Sequence, residues 1–241
     1  MDSANAIPLT LLAMHGVALG IGCTILIVAF FMSRRSRRPV PAPVHPQNFF
    51  PAENAPVQRP VCWIAIRSVS LEAVQQALGL NRAEPCSWVS GLSGDHGFFI
   101  SPRVHGWVIV TGNALPTPTE DVDATYVFLS ALSRKLGHVQ YFYASRLLHH
   151  HAWARLDDGY VSRAYAWTGE TVWNQGPLTL PEHEACLKLS GYGEPTVGIL
   201  DASGNFEKVP QLAARWSLDP AEVKLDSLRQ YTGIAGESAL I

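Results

Sequence analysis

Three consecutive histidines, His149, His150 and His151, precede Trp153, Arg163, Tyr165 and Trp167, with Asp157-Asp158-Gly159 between them. In an extended strand His149 and His151 share one face and His150 takes the other. Two imidazoles at that spacing can converge on one metal ion. With a carboxylate such as Glu170 as third ligand, the pair would suit a metal-assisted hydrolase. No spacing singles out a third ligand, however. His96, His105, His138, Asp157, Asp158 and Glu170 compete equally, and there is neither an HExxH motif nor a Cys-x-x-Cys pair. No metal or other cofactor is therefore expected.

The turn decides what else these residues can do. A three-residue turn, type I across Asp157 and Asp158 with Gly159 in the left-handed position, would set Leu156 against Tyr160. Trp153 would then face Arg163, His151 would face Tyr165, and His149 would face Trp167. One face of the hairpin becomes large and amphipathic: His149, His151, Trp153, Arg163, Tyr165 and Trp167, a candidate binding face with an Arg–Trp contact in it. The other face carries Ala152, Ala154, Ala164 and Ala166, small enough for a helix to pack closely. A two-residue Asp158–Gly159 type I′ turn would shift the pairing so that large residues face small ones, and the platform would vanish.

Other chemistry is sparse. No GxSxG, P-loop, dinucleotide fingerprint or kinase signature occurs. The stretch "GLSGDHG" (Gly91–Gly97) lacks a Lys-Ser/Thr ending and reads as a loop. Glu170 in "GETVWNQG" has the side chain for acid–base work, but sequence alone does not give it a partner. Residues 209–225 faintly suggest a helix-turn-helix. Its second helix would present Asp219, Glu222 and Asp226 against Lys224 and Arg229, the wrong charge for a DNA groove. Cys23, Cys62, Cys86 and Cys186 form no framework and read as reduced thiols.

The elements that position these residues begin with a membrane anchor. Residues 7–32 contain no Asp, Glu, Lys or Arg; as a helix they would span about 39 Å, enough for a hydrocarbon core of about 30 Å. Arg34, Arg35, Arg37 and Arg38 follow, and only Asp2 is charged before. That order is the reverse of a cleaved signal peptide. It predicts a single-pass helix in the cell inner membrane, residues 1–6 outside and the body in the cytoplasm. Gly16 and Gly20 form a GxxxG pair that would let two such helices dimerise. Residues 33–60 are a basic flank and linker, with seven prolines between Pro39 and Pro60.

The net charge is −2, and residues 1–38 contribute +3, so the remainder carries −5. A mildly acidic body argues against nucleic-acid binding. Residues 61–241 are expected to form one α+β domain, a mainly antiparallel sheet with packed helices. "VCWIAIR" has the apolar density of a central strand. "SLEAVQQALG" reads as a helix capped by Ser70 and stopped at Gly79. "GFFIS" and "HGWVIVTG" are strands, and Asp123–Gly137 is an amphipathic helix. "HVQYFYAS", "HHHAWARL" and "YVSRAYAWTG" are three successive strands. Thr179 and Glu182 form a capping box, and Asp219 and Glu222 open a further helix over "DPAEVKLDSLRQY".

The order "GWVIVTG", "LSRKLGHVQYF", "HAWARLDDGYVSRAYAWTGE" and "RWSLDP" resembles a group of uncharacterised bacterial proteins over about residues 61–241. The resemblance brings no activity and no site residues. The functional expectation is thus a membrane-anchored, non-enzymatic binding or regulatory domain engaging a protein partner, immunity-like in one version. The alternative is the hydrolase built on His149 and His151.

Overall fold

A computed structural model describes residues 57–67, 70–194, 203–224, 228 and 232–238. The chain divides into two units, Met1–Phe50 and Pro51–Ile241, and all the described residues belong to the second. The expected span 7–32, Gly16 and Gly20 within it, and most of the linker lie outside the described residues. Among the described residues no helix is long and apolar enough to cross a membrane.

The domain is α+β, built on one nine-stranded sheet whose pairings are all antiparallel, in the order β2-β9-β3-β4-β1-β5-β6-β7-β8. The strands are β1 (Cys62–Arg67), β2 (Leu80–Cys86), β3 (Phe98–Ile100), β4 (Trp107–Thr111), β5 (His138–Ala144), β6 (His151–Asp157), β7 (Tyr160–Trp167), β8 (Thr171–Gln175) and β9 (Gly233–Ser238). The helices are α1 (Leu71–Leu78), α2 (Trp88–Leu92), α3 (Val122–Leu136), α4 (Leu180–Glu184) and α5 (Val209–Trp216). β1 lies at the centre because five of its six residues are buried, so both faces need cover.

Alternation along the strands divides the core. Ile64, Ile66, Val108, Val110, Val139 and Tyr141 face α1 and α3. Trp63, Ala65, Ile109 and Phe142 face the opposite layer, which contains α2 and α5. As the sequence led us to expect, Ala152, Ala154, Ala164 and Ala166 form the small face beneath α3, packed with Leu129 and Leu132.

Local signals set most helix ends. Ser70 Oγ accepts from Ala73 N (3.2 Å), and Gly79 ends α1 at φ +61°. Asp121 caps α3 through Ala124 N. The helix expected after Asp219 is broken at its start: Pro220–Glu222 form a 3-10 turn and Val223 is already extended, while residues 225–227 and 229–231 lie outside the described residues. Asp219 still caps Ala221 N, but its carboxylate also takes the Arg59 guanidinium in an ion pair. The cap residue is anchored to the start of the domain, and the chain leaves the helical path after one turn.

The hairpin register differs from the expected one. Asp158 (φ +50°) and Gly159 (φ +87°) form a two-residue turn, and Asp157 pairs with Tyr160. Left alone, that turn would set large residues against small. Ser162 prevents this as the extra residue of a β-bulge, its hydroxyl donating to Arg155 O (3.0 Å). Beyond the bulge Trp153 pairs with Tyr165, and His151 with Trp167. The large face therefore survives, but with different partners from those a three-residue turn would give.

Candidate functional site

The three histidines go three ways. His149 stands before β6 at φ +58°, exposed, its ring against Phe206 at 5.2 Å. A left-handed residue cannot continue a strand, so His149 and His151 do not form the expected pair on one face. His150 Nδ1 lies 3.1 Å from Thr119 Oγ1, and its ring meets Trp167 edge-on. His151 is wholly buried, stacked on Trp153 (5.8 Å), Tyr165 (6.0 Å) and Trp167 (5.5 Å). Glu170 sits in the exposed turn between β7 and β8. These residues do not assemble into one site, and among the described residues no group of three His, Cys, Asp or Glu could hold a metal ion.

Burial pushes the His151 imidazole down to about 4, because a charged ring there would lack water. Its neutral form is held at both nitrogens. The His149 carbonyl can only accept, so Nδ1 carries the proton toward it (3.3 Å). Nε2 accepts from the Asn205 amide (3.4 Å). Asn205 in turn accepts from Lys188 N and donates to Lys188 O.

The candidate binding face is thus a correction. The structure gathers His151, Trp153, Arg163, Tyr165 and Trp167 on one side of the sheet and leaves His149 outside. The gathered residues are core, each at most 4% exposed. α5 and the 187–190 segment lie over this side, and internal partners take the polar atoms of His151, Trp153, Arg163 and Tyr165. Arg163 does not stack on Trp153. Both donate to the same buried carboxylate oxygen, Glu182 Oε1, from Arg163 Nε (2.7 Å) and Trp153 Nε1 (2.6 Å). Glu182 Oε2 accepts from Thr179 N and Oγ1, both at 2.7 Å, so the expected capping box also serves a buried ion pair. Arg163 Nη1 turns to the Ala164 carbonyl and the Asn174 side chain. A buried ion pair is tolerated only when its remaining hydrogen-bonding capacity is met like this.

Open space lies at the other end of the sheet. A cleft of about 680 Å³ runs along β2 and β9, lined by Arg82, Glu84, Cys86, His96 and Glu237 among others. Cys86 ends β2, and Ser87 immediately caps α2 by accepting from Ser90 N (3.2 Å). The chain then folds back so that His96 Nε2 lies 3.6 Å from Cys86 Sγ. The returning loop is fixed by backbone bonds from Asn113 N to His96 O (3.0 Å) and from Ala114 N to Gly97 O (3.1 Å). Gly112, at φ +142°, permits this approach, since a Cβ there would lie 2.1 Å from Gly97 O. Burial raises the Cys86 thiol above its ordinary value, with Ser90 opposing.

Sequence reasoning treated Cys86 as an isolated thiol and His96 as one of several stray ligands. Ten residues of separation carry no signature; only the short helix and the Gly112 contact bring the two together. Comparison with protein-family models, curated proteins and solved structures returned no match.

Proposed function

We propose that this chain is a membrane-tethered, non-enzymatic binding or regulatory protein. Its domain would engage a protein partner at the cytoplasmic face of the inner membrane through the β2–β9 cleft. An immunity-like role is one version of this reading. The cleft is the observation that carries it: an open groove beside an edge strand, with Arg82 on its wall and Glu84 and Glu237 also lining it. Charges of both signs around a groove favour a complementary protein surface and select its orientation. The uncharged segment 7–32, with four arginines behind it, supports the tether and its direction. Tether and partner belong to one reading, because holding the domain at the membrane raises the effective concentration of anything else kept there.

Affinity purification of the full chain in detergent, after crosslinking in cells, tests this. The expected result is one stoichiometric protein partner, lost when Arg82→Glu and Glu237→Lys are combined. If the unaltered chain retains no stoichiometric partner across several detergents and salt concentrations, the reading is wrong. Orientation has its own measurement. A C-terminal reporter active only in the cytoplasm should work, and an export-dependent reporter should stay silent; the reverse pattern overturns the cytoplasmic placement.

A further inference from the structure

We propose that Cys86 is a site of thiol–disulfide exchange, with His96 as its proton acceptor, and that the cleft admits a small zwitterionic disulfide to it. The modification is stoichiometric and does not depend on a protein partner.

Three features support this. Cys86, 8% exposed, lines the cleft, and its sulfur lies 3.5 Å from the Ser87 carbonyl and 3.6 Å from His96 Nε2, a nitrogen able to accept its proton. For that role His96 carries its own proton on Nδ1 and presents a bare Nε2. The cleft volume lies within the roughly 300–1,000 Å³ typical of small-molecule sites. Its charged lining, Arg82 with Glu84 and Glu237, suits a molecule bearing both a carboxylate and an ammonium group. The other described cysteines lack this setting. Cys62 is as little exposed as Cys86, but its sulfur sits beside Tyr141, and burial pushes its thiol up to about 12. Cys186 is exposed, and its sulfur lies 3.9 Å from the Glu184 carbonyl.

His96 Nε2 takes the Cys86 proton, and the sulfur attacks one sulfur of the disulfide R–S–S–R. A new S–S bond forms, the old one breaks, and R–S⁻ leaves. His96 returns the proton to it as R–SH. Cys86 is oxidised to the mixed disulfide, and half of the small disulfide is reduced. A thiol whose basicity is raised by burial is the stronger nucleophile once its proton has gone.

Glutathione disulfide is the probe, applied to the full chain in detergent, with adducts at each cysteine followed by peptide mass spectrometry. Cys86 should be modified at least about tenfold faster than Cys186, although Cys186 is the more exposed. H96Q should slow Cys86 by roughly ten- to a hundredfold and leave Cys186 unchanged. The two forms should converge at strongly alkaline pH, where hydroxide replaces the imidazole. Cys86 reacting no faster than Cys186 overturns the proposal. That comparison uses the unaltered chain and so holds even where H96Q does not fold. An H96Q rate equal to the unaltered one removes His96 from the step, and a deficit that persists in alkali shows that His96 only shapes the loop; either result overturns the proposal as well.

Discussion

At one end of the sheet, β6 and β7 carry a histidine, two tryptophans, a tyrosine and an arginine on a single face, and all of them are covered. The outer edge there is closed as well: Tyr192 Oη accepts from Asn174 N (2.7 Å) and donates back to Asn174 O (3.3 Å). At the other end β2 is an edge strand holding Pro85 and a register shift between Asn81 and Glu84. These features discourage strand pairing but leave a cleft beside them. The residues that look most chemical in sequence are consumed by folding. Two that look unremarkable, Cys86 and His96, line the cleft, although Cys86 is only 8% exposed. Chemically expressive side chains make a site only where their hydrogen bonds are not already spent.

The comparison breaks first at Glu182. Glu182→Ala strands a buried guanidinium and removes the Trp153 acceptor, so stability should fall by about 3–5 kcal/mol in urea denaturation. A loss below about 1 kcal/mol would mean that Arg163 finds water, and that this end is less closed than its geometry implies.

Acid should attack the same end. The His151 imidazole titrates near 6.5 when unfolded and about 4 when folded, so between those values the unfolded chain binds more protons. Its stabilisation is complete above about pH 6.5 and is lost as pH falls toward 4, by about 3 kcal/mol in total. Unfolding midpoints measured across that window should slope steeply in the unaltered chain and flatten in His151→Gln. An unchanged slope would place the acid sensitivity elsewhere.

A smaller effect is expected at the closed edge. Tyr192→Phe removes both bonds to Asn174 and should cost about 1 kcal/mol, with faster amide exchange at Asn174 as the local readout. Unaltered exchange would show that the tyrosine does not guard the edge. At the open end Arg82→Ala should stay within about 0.5 kcal/mol of the unaltered chain, since its side chain is exposed. A larger loss would make the cleft a structural feature and weaken its reading as a binding groove.

Strands with dense apolar residues and the helices α1 and α3 were legible in the sequence; α2, although Ser87 caps it, was not. The central place of β1, the ends of α1 and the stop of α3 at Gly137 follow from residues local to each. Non-local features were not legible. No side chain announces that Ser162 is an extra residue, yet that one insertion decides what His151 and Trp153 face. β9, "GIAGES", is rich in glycine and alanine, so its place between β2 and β3 comes from its partners and not from its own pattern. The thiol–imidazole pair is hidden for the same reason, being made by the return of a loop.

The ion pair between Arg59 and Asp219 joins residues 160 positions apart at the point where the chain enters its first strand. A pull on the chain ahead of Arg59 therefore meets that clasp first and β1 next. β1 is hydrogen-bonded to β4 on one side and to β5 on the other. An edge strand peels away one bond at a time under load. A central strand can leave only by shearing two ladders at once, so the force is shared along its whole length. Load applied ahead of Arg59 thus reaches the domain through a central strand and not through an edge one.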